Sequence, residues 1–209
     1  MKFTLATALA LTLGMSVTSQ VKAQAANQIF GGYTSITFNS SFVASTRESG
    51  IFISDLNGNP LPSAKTPGEL VDNLGTVSGV IDLDTGVTNV SFRGGFLINY
   101  VGRTAVRVEN LVLRAGTEGS AITGDLTENG AFLGREEIFL VNQNPGLVLP
   151  LKPVAGVLTL PTLSLGLSPQ LIAQVAPIIG SQFTPATQVA TASPIAVVSQ
   201  EPKTTATAQ

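Results

Sequence analysis

The 209-residue chain has no cysteine, no histidine and no tryptophan, and only 11% of it is charged, against roughly a quarter in a typical globular protein. Each absence excludes a class of chemistry. Without cysteine there is no disulfide framework and no thiolate metal site. Without histidine there is no Ser-His-Asp or Cys-His nucleophile system and no imidazole ligand. Eleven basic and thirteen acidic side chains leave a net charge of −2 with no basic block, so nucleic acid is not an expected partner. No G-x-S-x-G constellation is present, the single S-x-x-K, Ser19 to Lys22, falls within the first 25 residues, and the expectation is that the protein is not an enzyme.

What is present begins with a leader. Lys2 precedes an apolar run from Phe3 to Val17, and two small-x-small sites follow, Val21-Lys22-Ala23 and Ala23-Gln24-Ala25. This layout predicts a signal peptide over residues 1–25, cleaved before Gln24 or Ala26. The run falls short of the roughly 20 residues that span a bilayer. The expected mature product is secreted, periplasmic or extracellular, with no transmembrane segment.

Charge divides the remainder. Residues 27–152 hold eight basic and twelve acidic side chains, whereas 153–200 hold none. The contrast predicts a β-domain over 26–152, an apolar segment over 153–183 interrupted by proline, and a disordered Thr/Ala/Pro/Gln-rich tail over 184–209. Within the apolar segment, Ser168-Pro169-Gln170 reads as an N-cap and first turn of a short helix carrying Leu171, Val175, Ile178 and Ile179.

Between these ends the apolar spacing is that of strands. Strands are expected over Tyr33 to Val43 and Ile51 to Ile53, followed by a turn at Asp55 to Pro60. Thr66-Pro67-Gly68-Glu69 has a capping-box arrangement and predicts a short helix through Leu74. Val77 to Leu83 alternates and reverses at Asp84-Thr85-Gly86 into Val87 to Phe92, and Gly94-Gly95 breaks the chain before Phe96 to Val101. The apolar residues of Thr104 to Arg114 change parity near Asn110, as a bulge would require. Asn129-Gly130 marks a hairpin between Ala121–Thr127 and Ala131–Phe132, and Glu137 to Val141 is a further strand. Short strands with little helix favour an antiparallel β-sandwich or a partly open barrel.

Several residues are candidates for chemistry. Asp82 and Asp84 share a strand face, and Asp55, Asn57 and Asn59 cluster oxygens, so either group is a candidate for Ca²⁺, which prefers oxygen ligands. Against this, the same residue types favour chain reversals. Arg103, Arg107, Glu109 and Arg114 on one hairpin offer an anion-binding surface or cross-strand pairs. Glu136 and Glu137 are adjacent, so on a strand they face opposite ways and do not form a carboxylate pair by themselves.

The run Gly79-Val80-Ile81-Asp82-Leu83-Asp84-Thr85-Gly86, then Gly94-Gly95-Phe96, Val108-Glu109-Asn110-Leu111-Val112-Leu113, Ile122-Thr123-Gly124-Asp125-Leu126, Asn129-Gly130 and Leu133-Gly134-Arg135, resembles secreted bacterial β-sandwich domains of the HtaA type over residues 75–142. The resemblance implies the fold, and it implies haem binding through Tyr and His. Tyr33 and Tyr100 are the chain's two tyrosines, and Tyr100 is the candidate axial ligand. The first expectation remains a structural or adhesive envelope protein that needs no cofactor. Its partner would be another envelope component or a second copy, engaged through 153–183. The alternative is a ligand-binding module for haem or Ca²⁺.

Overall fold

The computed structural model describes residues 26–100, 103–116, 119–142, 148–179 and 187–199. The expected leader lies outside these residues, as do 184–186 and 200–209 of the expected tail. The elements in chain order are β1 (Asn27–Phe38), α1 (Ser40–Glu48), β2 (Ile51–Asp55), β3 (Leu70–Ile81), β4 (Thr88–Arg93), β5 (Gly95–Tyr100) and β6 (Arg103–Gly116). There follow β7 (Gly119–Glu128), β8 (Ala131–Asn142), β9 (Val157–Thr159), β10 (Leu163–Leu167), α2 (Pro169–Ile179) and β11 (Gln188–Val198).

Eight antiparallel strands close a barrel in the order β6-β4-β3-β1-β11-β10-β8-β7, with β7 returning to β6. Side chains alternate along each strand. On β1, Thr34, Ile36 and Phe38 are buried while Ser35 and Thr37 are less so, and on β7 the buried positions are Ile122, Gly124 and Leu126. One end of the core is aromatic. Phe38 meets Phe96 edge-on with centroids 5.4 Å apart, and Phe139 lies 6.1 Å from Phe96 and 6.4 Å from Phe38. Full burial of each such ring stabilises the fold by about 1.5–3 kcal/mol. Phe42 and Val43 from α1, and Leu171 from α2, are buried in the same core.

Polar caps fix both helices. Asn39 Oδ1 accepts the Phe42 N–H at 2.8 Å, while its own N–H donates to Val189 O at 2.9 Å and Nδ2 donates to Gln188 O. One residue thus starts α1 and ties it to β11. Ser168 Oγ accepts the Leu171 N–H at 3.0 Å and donates to the Glu137 carbonyl, which gives α2 the N-cap read from the sequence and joins it to β8.

The strands are mostly where the periodicity puts them, and the bulge at Asn110 is present. The register between β6 and β7 shifts between Glu109 and Val112, and Asn110 has φ +53°. Asp125 accepts from Asn110 Nδ2 at 2.9 Å and from Arg135 Nη1 at 2.8 Å, while Arg135 Nη2 donates to Asn110 O, so the kink is locked by a polar triad.

Four expectations are corrected. The first strand stops at Phe38, because the Asn39 cap turns Phe42 and Val43 into helix. No helix forms over 66–74. Thr66 O accepts the Glu69 N–H in a tight turn, Gly68 has φ +84°, and Leu70 already pairs with Phe38, so sheet pairing prevails over the capping pattern. The architecture is a closed barrel rather than two facing sheets, because β6 pairs with β7 and β11 fills the wall between β1 and β10. Finally, the chain does not change character at Lys152. Gln188–Val198, placed in a disordered tail by composition, is an inner member of the barrel, with Val189, Ala190, Ala192, Ala196 and Val198 buried.

Candidate functional site

β4 and β5 both pair with the same edge of β6. β4 takes Val112–Ala115 and β5 takes Arg103–Glu109, so the wall forks at the Gly94-Gly95 link. Gly95 has φ +143°, and a Cβ there would sit 2.1 Å from Val108 O, so glycine alone fits at the fork. β2 follows β5 and ends the strand path, paired with β5 on one side and bridged on the other at Ser54–Pro60.

A cleft of about 500 Å³ lies beside β2. Its walls come from α1 (Val43, Thr46, Arg47), from β2 (Ile51 to Ser54), from the following turn (Gly58, Pro60, Leu61) and from Leu70 and Asn99. The lining is largely apolar. Asn99 Nδ2 donates to Ser54 Oγ at 2.7 Å. Arg47 is the single charged side chain of the lining, and among the described residues it forms no ion pair; the two pairs present are Arg107–Glu109 and Arg135–Asp125. Its place in the last turn of α1 suits the helix dipole.

The turn beside the cleft is rigid. Asp55 Oδ1 accepts the N–H groups of Asn57 and Asn59, both at 2.8 Å, and Oδ2 accepts Asn59 Nδ2 at 3.0 Å. These bonds, the Asn59 side chain first, hold the Asp55 carboxyl below its ordinary range. Arg107 Nη1 clamps the same turn through Leu56 O at 3.2 Å while its Nε pairs with Glu109 at 2.8 Å. Arg107 is therefore structural in its contacts.

Asp72 is a buried acid that sequence reasoning passed over, two residues from Leu70 and outside the cleft lining. On β3 it occupies the inward position between Leu70, which lines the cleft, and Leu74. It is buried, and its Oδ2 has no hydrogen-bond partner. Burial, opposed by a bond from the Asn73 backbone and assisted by the charge of Asp55, raises its pKa to about 6. The signal was available: an acidic residue breaks the inward sequence of Leu70, Asp72 and Leu74.

The other candidates lie elsewhere. Asp82 Oδ1 accepts from Asp84 N at 2.9 Å and Thr85 N at 3.0 Å, closing its own turn, and the Thr85 backbone bond leads the effects that lower its pKa. Asp84 is exposed on the same turn. Among the described residues no three acidic side chains gather as a metal site would require. Arg114 is exposed on β6, away from the cleft lining, and the Arg103 side chain lies outside the described residues. Glu136 and Glu137 lie on β8, opposite Gly124 and Thr123 of β7. Tyr33 is half exposed on β1. Tyr100 closes β5 opposite Ile51, half-buried with its ring against Gly50. Neither tyrosine lines the cleft.

The forked barrel can be compared with solved structures. It resembles the C-terminal domain of HtaA from Corynebacterium glutamicum. The likeness spans 83% of this chain and 99% of that domain, with a TM-score of 0.55 and 14% sequence identity. A domain-swapped dimer variant of the HtaA domain aligns over 74% of this chain with a TM-score of 0.44. At this identity the similarity to HtaA is one of fold. No protein-family model matches the chain, and no curated protein matches it in sequence.

The haem implied by the HtaA resemblance needs an iron ligand at its site. The cleft lining contains no tyrosine, methionine, histidine or cysteine, and the chain contains no histidine at all. The residues present do not fit a Tyr- or His-ligated haem in this cleft.

Proposed function

We propose that this protein is a non-enzymatic ligand-binding module of the bacterial cell envelope, and that its site is the cleft between α1, β2 and the 58–61 turn. The observation that carries the reading is the cleft itself: a concavity of about 500 Å³ beside the closed barrel, largely apolar and lined by one arginine that forms no ion pair among the described residues. Concave, mostly apolar sites with a few placed polar groups are the usual form of organic-ligand pockets. The ligand has an apolar body and an anionic group, and is held without iron. The HtaA-like fold and the expected leader support an envelope location, and no described helix is long and apolar enough to cross a membrane.

Anilinonaphthalene sulfonate, an aromatic anion, tests the site. Titration of the folded protein should give a saturable one-to-one fluorescence rise, reduced by Arg47→Glu and by Leu61→Trp, which narrows the cleft. A parallel hemin titration should produce no Soret band that depends on Tyr100. Absence of saturable dye binding, or dye binding indifferent to both cleft variants, would overturn the proposal.

A further inference from the structure

We infer that the natural occupant of the cleft is a short extended peptide segment carrying a carboxylate, which pairs with the outer edge of β2 and sets its acid against Arg47. The inference rests on the cleft being the binding site and goes further by naming the class of ligand.

The lining shows which part of β2 faces the opening. Ile51, Phe52, Ile53 and Ser54 all contribute, although successive strand residues point to opposite faces. Four consecutive residues reach one cavity when the strand presents its edge to it. The hydrogen-bond parity agrees. Asp55 gives its N–H to Asn59 O at 2.8 Å and not to β5. Backbone direction alternates along an antiparallel pair, and the register of β2 with β5 runs unbroken from Ile51 to Asp55. Ile53 and Ile51 therefore direct their backbone groups to the same outer side as Asp55, while Phe52 and Ser54 direct theirs to β5.

No strand pairs with β2 on that outer side. The protein already uses the edge once, since Ser54 forms an isolated antiparallel bridge with Pro60. Because Ser54 directs its own groups to β5 and Pro60 has no N–H, that bridge is made by the flanking Asp55 N–H and Ile53 carbonyl, which leaves Ile51 and the Ile53 N–H facing the cavity. An exposed edge is a template for an added strand, and strand addition gains affinity from main-chain bonds and specificity from side-chain pockets. Val43 and Leu70 supply apolar walls, and Phe52 stands partly exposed beside them. Arg47 supplies charge complementarity: its planar guanidinium suits a carboxylate better than any neutral group.

The test uses a fluorescein-labelled peptide of alternating valine and threonine ending in a free aspartate, followed by fluorescence anisotropy with the full folded protein. Saturable binding that displaces anilinonaphthalene sulfonate is expected. Arg47→Glu, or amidation of the peptide's acidic groups, should weaken it about tenfold, as loss of a charge-assisted pair implies. N-methylation of alternate peptide residues should abolish it in one phase of the alternation and spare it in the other. Unchanged melting temperature checks that Arg47→Glu is folded. Dye binding in the cleft with no peptide binding overturns the peptide inference and leaves the binding-module proposal standing; failure of both overturns both. Peptide binding insensitive to N-methylation in either phase also refutes edge pairing.

Discussion

Asp72→Asn should make the protein more stable at neutral pH. Asp72 points into the barrel from β3, opposite Ile36 of β1, and its Oδ2 has no partner. Thr34 Oγ1, on the diagonal of the same ladder, is unpartnered too. Burial raises the Asp72 pKa from 3.8 to about 6, so the folded state disfavours the ionised form. The penalty is fully present above pH 6, shrinks as pH falls toward 3.8, and is gone below it. A displacement of this size corresponds to about 3 kcal/mol at pH 7.5. Asparagine keeps the shape and removes the charge, but its amide brings donors that also need partners, so the expected net gain is about 1–3 kcal/mol. Urea unfolding of both proteins at pH 7.5, 5.5 and 4 measures it. The gap should be widest at pH 7.5 and close toward pH 4. Asp55 and Asp82, whose pKa values are lowered, act in the opposite sense: their stabilisation is lost as pH falls through their folded pKa values. Both proteins share that loss, so the difference isolates Asp72. Parallel stability profiles, or a less stable variant at pH 7.5, would refute the reasoning.

Asn39→Ala removes the cap of α1 and a side-chain bond to β11, and should cost about 1–2 kcal/mol in chemical denaturation; a neutral result would mean that the cap is not coupled to the barrel. Ending the chain at Lys152 deletes β9, β10, α2 and β11 and leaves β1 and β8 each without one of its two neighbours, which opens the barrel, so far-UV circular dichroism and melting should show loss of the cooperative fold. A truncated chain that melts cooperatively at an unchanged temperature would instead support a separate domain over 26–152.

The hairpins were legible because their signals are local. Asn129-Gly130 occupies the turn between β7 and β8 with φ +50° and +82°, and the parity change at Asn110 marked a real bulge. Ser168 named its helix for the same reason. Composition misled at 188–198, where Thr, Ala, Ser and Pro194 read as a tail. Small residues serve there because β11 is enclosed by β1 and β10, and Leu160 N–H bonds to the Pro194 carbonyl at 3.1 Å. The missing charge beyond Lys152 reflects burial of this wall.

By itself the sequence determined that the chain is built from short antiparallel strands, that thiol and imidazole chemistry is excluded, and where most turns fall. These properties depend on residue type and on spacings of two to four residues. Only the tertiary structure decided that the sheet closes, that the C-terminal strand sits inside it, and that β4 and β5 divide along β6. The first two depend on pairings between residues more than a hundred positions apart, such as Tyr33 with Ile195, and the third on β6 pairing with both β4 and β5. The candidate site belongs to this second kind: Arg47 of α1, the β2 residues, the 58–61 turn, Leu70 and Asn99 come together only in the folded chain.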